Sequence, residues 1–126
     1  MVVGICRIVL SLPWNDSLKG KRSVVKSILE RARGRFHVAA AEVDDLDAHR
    51  RATLGFAVVS NDARHAGSVL DKLVSFVAGA TQALVVDSSR SIEHYDLGLT
   101  GSGAHGFSPS DWNDEDGDEE GNEEDD

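Results

Sequence analysis

Residues 51–80 read RATLGFAVVSNDARHAGSVLDKLVSFVAGA, and the hydrophobic pattern of this stretch changes midway. Residues 51–60 are rich in β-branched and apolar side chains, which predicts a strand. Asn61 and Asp62 follow with side chains that cap helices. The apolar residues after them return at helical spacing and predict a helix with one buried stripe, formed by Ala66, Val69, Leu70, Leu73, Val77 and Ala80.

A similar strand and helix come earlier in the chain. Residues 2–12 are rich in β-branched side chains and predict a strand. Asp16 or Ser17 can cap a following helix, and Gly34 is its expected end. The apolar stripe of this helix comprises Leu18, Val25, Leu29, Ala32 and Phe36, with Ile28 alongside.

Two further strands complete the pattern. Residues 37–43 predict the second strand, and residues 83–87 predict the fourth, which can continue toward Tyr95. The order is strand, helix, strand, strand, helix, strand. This order predicts an α+β, ferredoxin-like βαββαβ fold with a four-stranded antiparallel sheet and two helices on one face.

The net charge of −9 averages two unlike segments. Residues 1–95 carry a net charge of +3, whereas residues 96–126 carry −12 and contain no Lys or Arg. From residue 98 onward the chain is rich in Gly and Ser and then in acids, a composition typical of disorder. We therefore expect a folded domain over residues 1–97 and a disordered acidic tail over residues 98–126.

The composition gives little support for metals, cofactors or membranes. A single cysteine, Cys6, excludes an internal disulfide framework. The five histidines show no ligand spacing: His37, His49, His65, His94 and His105. The apolar start MVVGICRIVLSL lacks a basic leader and is too short to span a bilayer. We expect no metal, no cofactor, no membrane partner and a cytoplasmic location.

Alternation along the strands assigns side chains to the two sheet faces. One face takes Cys6, Ile8, Leu10, Leu54, Phe56 and Val58. Both faces are largely apolar, and two helices on one side cover only one of them. We expect the uncovered face to form a homodimer, through Val3, Ile5, Val9, Thr53, Ala57 and Val59. The alternative is that the C-terminal strand or the tail folds over this face.

Four separated segments resemble a known family in their order and spacing: SLKGKRSVVKS, RFHVAAAEV, LGFAVVSND and VLDKLVSFV. They resemble the YlxP-like family, domain of unknown function 503, over about residues 1–95. The resemblance implies the ferredoxin-like fold but no activity, because the family has none assigned. Genes of this family often lie beside those for translation initiation and ribosome maturation factors, which implies an RNA-related role. The acidic tail lies outside the family pattern.

The first helix concentrates the positive charge of the folded part. Residues 17–35 read SLKGKRSVVKSILERARGR, with seven basic residues and one acid, Glu30. Cations spaced along one helix flank can follow a phosphate backbone. The predicted nucleic-acid interface comprises Lys19, Lys21, Arg22, Lys26, Arg31, Arg33 and Arg35. On a helical wheel, the first flank spans about 60° and holds Lys19, Arg22, Lys26 and Arg33.

The predicted cations do not all lie on the same flank of the helix. Arg31 and Arg35 lie on the other flank of the wheel, and Lys21 is close to the apolar stripe. The same pattern also fits a solvated face with Glu30 pairing to neighbouring arginines, or a surface that binds an acidic protein. These alternatives stay open on the sequence alone.

Other motifs give weaker signals. The segment LGFAVVSN shares part of an RNA-recognition motif but lacks two of its three aromatic residues, so we do not expect base stacking on the sheet. No nucleophile accompanies the polar cluster Glu42, Asp44, Asp45, Asp47 and His49, so no catalytic residue is assigned. The sequence favours a non-enzymatic module that binds structured RNA, with the ribosomal subunit as partner. The alternative is a dimeric adaptor that binds acidic proteins.

The acidic tail suggests a further interaction. Phe107 and Trp112 stand among acids, a composition that can dock weakly on a basic surface. The tail could compete with RNA for the basic first helix, or it could serve only to keep the protein soluble.

Overall fold

The computed structural model describes residues 1–80 and 83–98. Six elements follow one another: β1 (Val2–Ser11), α1 (Leu18–Phe36), β2 (Ala39–Asp44), β3 (Arg51–Ser60), α2 (Ala63–Gly79) and β4 (Leu84–His94). The strands form one antiparallel sheet in the order β2-β3-β1-β4. The predicted ferredoxin-like βαββαβ fold is confirmed. The compact unit spans Met1–Tyr95, and the tail predicted over 98–126 lies, apart from Gly98, outside the described residues.

The hydrophobic core lies between the helices and one face of the sheet. All six side chains predicted for the covered face are buried there: Cys6, Ile8, Leu10, Leu54, Phe56 and Val58. The helices contribute the inner parts of their predicted stripes, including Val25 and Ile28 from α1 and Leu70 and Leu73 from α2. Burial of these apolar side chains is the main favourable contribution to folding.

The first helix begins where the sequence predicts and ends later. Ser17 is its N-cap, and the hydroxyl group accepts a hydrogen bond from the Gly20 amide at 3.0 Å. The predicted end at Gly34 is wrong, because α1 continues to Phe36 and His37 forms the C-cap in the left-handed region at φ 56°. A glycine inside a helix costs only about 1 kcal/mol, which tertiary packing readily offsets. Strand β2 consequently begins at Ala39.

The second helix and the last strand also follow the predicted order. Asp62 caps α2 by accepting a hydrogen bond from the Arg64 amide at 3.0 Å. Strand β4 extends well past Asp87, as the sequence allowed, and pairs with β1 along its length. The N-terminal amine of Met1 donates to the Tyr95 carbonyl at 2.9 Å and fixes the end of this pairing.

The uncovered sheet face is smaller than predicted. Val9 and Thr53 lie opposite each other in β1 and β3, and both are buried. Thr53 donates a hydrogen bond to Asp45 Oδ2 at 2.6 Å, so the connection after β2 folds against this end of the sheet. The prediction that Val9 and Thr53 belong to a self-association surface is therefore corrected. The accessible part of the predicted set is Val3, Ile5, Ala57 and Val59.

Candidate nucleic-acid interface

Four of the predicted cations form a row along one exposed flank of α1. We call them the outer row: Lys19, Arg22, Lys26 and Arg33. Among the described residues, Lys19, Arg22 and Lys26 make no hydrogen bond or ion pair through their side chains. Arg33 donates to the Ala40 carbonyl at 2.6 Å, which ties the end of the row to edge strand β2. The outer row therefore presents positive charge that is not neutralised within the described part of the chain.

Lys21 belongs to the interior and not to this interface. Its side chain is fully buried, and Nζ lies 2.9 Å from Glu42 Oε2. The ammonium group also donates to main-chain oxygens of Asp45 at 2.7 Å, Leu46 at 3.2 Å and Arg51 at 3.3 Å. An ammonium has three N–H donors, and the three carbonyls use them, so Glu42 Oε2 is held by charge and not by a hydrogen bond. Lys21 is not available to a phosphate, which corrects its place in the predicted interface.

The residues before Lys21 are also fixed by packing. Asn15 is buried, and its amide Nδ2 donates to the carbonyls of Ser17 at 2.7 Å and His49 at 2.6 Å. A Cβ atom at position 20 would lie 2.3 Å from Asn15 Oδ1, so only glycine fits there without rearrangement. In the segment LKGKR, Gly20 and Lys21 therefore hold the structure together, whereas the flanking cations point to solvent.

Arg31 and Arg35 lie on the opposite flank of α1 and face α2. Arg31 Nη2 donates to the Ala80 carbonyl at 2.9 Å, and the guanidinium lies 5.5 Å from the centre of the Phe76 ring. The Arg35 guanidinium lies 5.4 Å from the Phe76 ring centre and 5.6 Å from that of Phe36. The two rings meet edge to face, with centroids 5.5 Å apart. The cations predicted on the two flanks of the helical wheel thus lie on two separate surfaces of α1.

The second surface is a groove of about 1080 Å³ between the two helices. We call it the interhelix groove, and its polar and charged lining includes Arg31, Arg35, His37, His65, Asp71 and Lys72. Asp71 is the one carboxylate among the described lining residues, and it forms an ion pair with Arg90. The sequence reasoning missed Lys72 and Phe76 as site residues, because nothing in α2 alone indicates that they meet the arginines of α1.

Members of the polar cluster at the end of β2 and in the following connection have structural roles. Glu42 pairs with Lys21, and Asp45 binds the Thr53 hydroxyl and Arg51 Nε, the latter at 3.0 Å. The hydrogen bond from Thr53, assisted by Arg51, lowers the pKa of the Asp45 carboxyl. No group of three or more His, Cys, Asp or Glu residues within 1–80 and 83–98 is arranged to hold a metal ion. His105 lies outside those residues.

The uncovered sheet face carries a shallow apolar hollow of about 350 Å³. It is lined by Ile5, Phe56 and small residues: Ala39, Ala40, Ala41, Gly55 and Ala57. Ile5 is 45% exposed and Val59 is 67% exposed. The β4 side of this face is polar, with an ion pair between Arg7 and Asp87 at 3.2 Å. The side chain of Phe56 is buried in the core, so it offers no stacking platform.

Within the described part of the chain, no helix has both the length and the apolar character needed to cross a bilayer.

Comparisons with known proteins agree with the resemblance seen in the sequence. The family model "Protein of unknown function (DUF503)" matches residues 3–90. The chain is 34% identical over 61 residues to the uncharacterized protein YlxP of Bacillus subtilis (strain 168). That match covers 48% of this chain and 66% of the length of YlxP. The solution NMR structure of a de novo designed protein with a ferredoxin fold aligns with a TM-score of 0.49 at 12% identity, over 81% of this chain and 92% of the designed one. The family match covers most of the folded unit and confirms the YlxP-like resemblance, so the chain belongs to the DUF503 family.

Proposed function

We propose that the protein is a non-enzymatic, cytoplasmic module that binds structured RNA through phosphate contacts from the outer row. The observation that carries this proposal is the set of three exposed cations, Lys19, Arg22 and Lys26, without an acidic partner among the described residues. Ribosomal RNA is the structured RNA that we expect as the target.

The geometry of the outer row suits a phosphate backbone. Its members recur at intervals of three, four and seven residues, so they stay on one side of α1 over roughly 20 Å of helix length. Structured RNA is recognised largely through its shape, its phosphates and its 2′-hydroxyl groups. Each cation that neutralises a phosphate releases counterions, so such binding weakens steeply with salt.

Filter binding of ribosomal RNA fragments across a salt series tests the proposal. The expected result is binding at low salt that weakens along a straight line in a log–log plot. If no fragment binds at low salt, the RNA proposal is wrong. Co-sedimentation with ribosomal subunits from a cell lysate then tests whether the target is ribosomal.

The uncovered sheet face supports a second candidate, a dimeric adaptor that binds acidic proteins. The supporting observation is the exposure of Ile5 and Val59 beside the apolar hollow, where a second copy of the chain could pack. Sedimentation equilibrium of the wild type and of Ile5→Lys tests this candidate. The wild type should dimerise, whereas the variant should stay monomeric because it places a charge in the interface. A wild-type protein that stays monomeric at all concentrations contradicts it.

A further inference from the structure

We propose that the interhelix groove is a separate binding site for a nucleoside phosphate of about mononucleotide size. This inference does not depend on RNA binding by the outer row, because the two surfaces lie on opposite flanks of α1.

The first argument is charge. Arg31, Arg35 and Lys72 supply three basic side chains to a concave surface. The opposing carboxylate of Asp71 is already engaged by Arg90 Nη1. A concave surface lined by one sign of charge concentrates the field and attracts ligands of the opposite sign. The groove is therefore suited to an anion.

The second argument is that the protein itself already holds the two arginine side chains in position. Arg31 is held by the Ala80 carbonyl and by the Phe76 ring, and Arg35 lies beside both rings. One of the five N–H donors of Arg31 is used, and Arg35 makes no hydrogen bond through its guanidinium within the described residues. A planar guanidinium that is already positioned loses less entropy when it binds a phosphate.

The third argument is the apolar part of the groove. The half-buried rings of Phe36 and Phe76 line the groove together with Val58 and Val69. A groove of about 1080 Å³ is far larger than an inorganic phosphate needs and lies at the upper limit of the size of sites for small organic ligands. Bases stack readily on aromatic rings and on guanidinium planes. A ligand that joins a phosphate to a flat base matches both halves of the groove.

NMR titration of the full chain with ATP, AMP, adenosine and inorganic phosphate at low ionic strength tests the proposal. We expect ATP and AMP to shift the amide signals of residues 31–37 and 65–76. Adenosine and phosphate alone are each expected to bind at least about tenfold more weakly, since each engages one half of the groove. If millimolar ATP leaves these signals unchanged, or if phosphate binds as tightly as AMP, the proposal is wrong.

Matched variants locate the ligand. Arg35→Gln and Lys72→Gln should each weaken AMP binding by about fivefold or more, whereas Arg64→Gln on α2 and Arg22→Gln in the outer row should leave it unchanged. Arg35→Lys keeps the charge and should retain part of the affinity, which separates a lost contact from a damaged fold. Equal losses in Arg22→Gln and Arg35→Gln would place the ligand elsewhere and overturn the assignment.

The same variants separate this inference from the proposed function. Outer-row variants should lose RNA affinity and keep AMP binding, whereas groove variants should do the reverse. If Lys72→Gln loses RNA affinity but keeps AMP binding, the groove binds RNA and not a mononucleotide. That result would contradict the inference.

Discussion

Lys21 Nζ lies 2.9 Å from Glu42 Oε2, with the lysine side chain fully buried and the glutamate 16% exposed. The ion pair joins the first turn of α1 to edge strand β2. Because the ammonium also donates to two carbonyls of the β2–β3 connection and to the Arg51 carbonyl at the start of β3, it holds that connection against α1. A basic residue in the middle of a basic segment thus serves the fold.

Removal of the Lys21 ammonium should strongly destabilise the protein. Lys21→Met leaves Glu42 and three carbonyls without their partner, and breaking a buried pair in this way costs about 3–5 kcal/mol. Lys26→Met, on the exposed flank of the same helix, should change stability by less than about 0.5 kcal/mol. Urea denaturation of both variants measures the difference, and similar midpoints would refute a structural role for the pair.

Asp45 should make the protein sensitive to acid. The hydrogen bond from Thr53, followed by the effect of Arg51, holds the pKa of Asp45 below its ordinary value of 3.8. A carboxyl with a lowered pKa stabilises the folded state above its unfolded pKa, and that stabilisation is lost as the pH falls through the folded pKa. Asp45→Asn should therefore be less stable than wild type near neutral pH, with the difference shrinking below about pH 4.

Denaturation of Asp45→Asn at a series of pH values provides the measurement. Asp47→Asn in the same connection is the control, since Asp47 is exposed. If the difference in the free energy of unfolding between Asp45→Asn and wild type stays constant down to acid pH, the Asp45 carboxylate does not cause the acid sensitivity.

The Cys6 thiol should be unreactive in the folded protein. Burial raises its pKa, an effect that the nearby charge of Arg90 only partly opposes, and the thiolate is the reactive form. A thiol-specific chromogenic reagent should label Cys6 only after unfolding in guanidinium. Cys6→Ala with Ser23→Cys places a thiol on the exposed face of α1 and should react at once. Rapid labelling of the native wild type would contradict the burial.

Removal of residues 98–126 should reveal whether the acidic tail competes with RNA. Residues 98–126 carry eleven acids, and tethering to the folded unit gives these acids an effective concentration of about the millimolar range. If the tail docks on the outer row, truncation tightens RNA binding at moderate salt, and the gain disappears at high salt. Equal RNA affinities of the full-length and truncated chains would contradict competition by the tail.

Most of the fold could be predicted because its signals are local. The change from alternating to helical spacing at Asn61, and the caps at Ser17 and Asp62, each depend on neighbouring residues. The end of α1 was predicted incorrectly because packing of Phe36 against Phe76, forty residues away, keeps the helix intact past Gly34.

The candidate sites could be predicted only in part. A helical wheel shows that Lys21 is near the apolar stripe, but its acceptors are in a connection more than twenty residues away. The interhelix groove forms only when α1 and α2 pack side by side. The sequence around Lys72 therefore does not indicate that this residue lines a groove with the arginines of α1. Alternation along β3 places Thr53 on the uncovered face, but its hydroxyl donates a hydrogen bond to Asp45 from the β2–β3 connection, a contact that the strand pattern does not predict.

The salt dependence of RNA binding by a pair of matched variants is the sharpest test of phosphate binding by the outer row. Arg22→Gln and Arg64→Gln each remove one exposed guanidinium from a helix, but only Arg22 belongs to the outer row. Arg22→Gln should reduce the log–log salt slope by about one and weaken binding across RNA sequences, whereas Arg64→Gln should retain the wild-type slope. Identical slopes for wild type, Arg22→Gln and Lys26→Gln would contradict phosphate binding by the outer row.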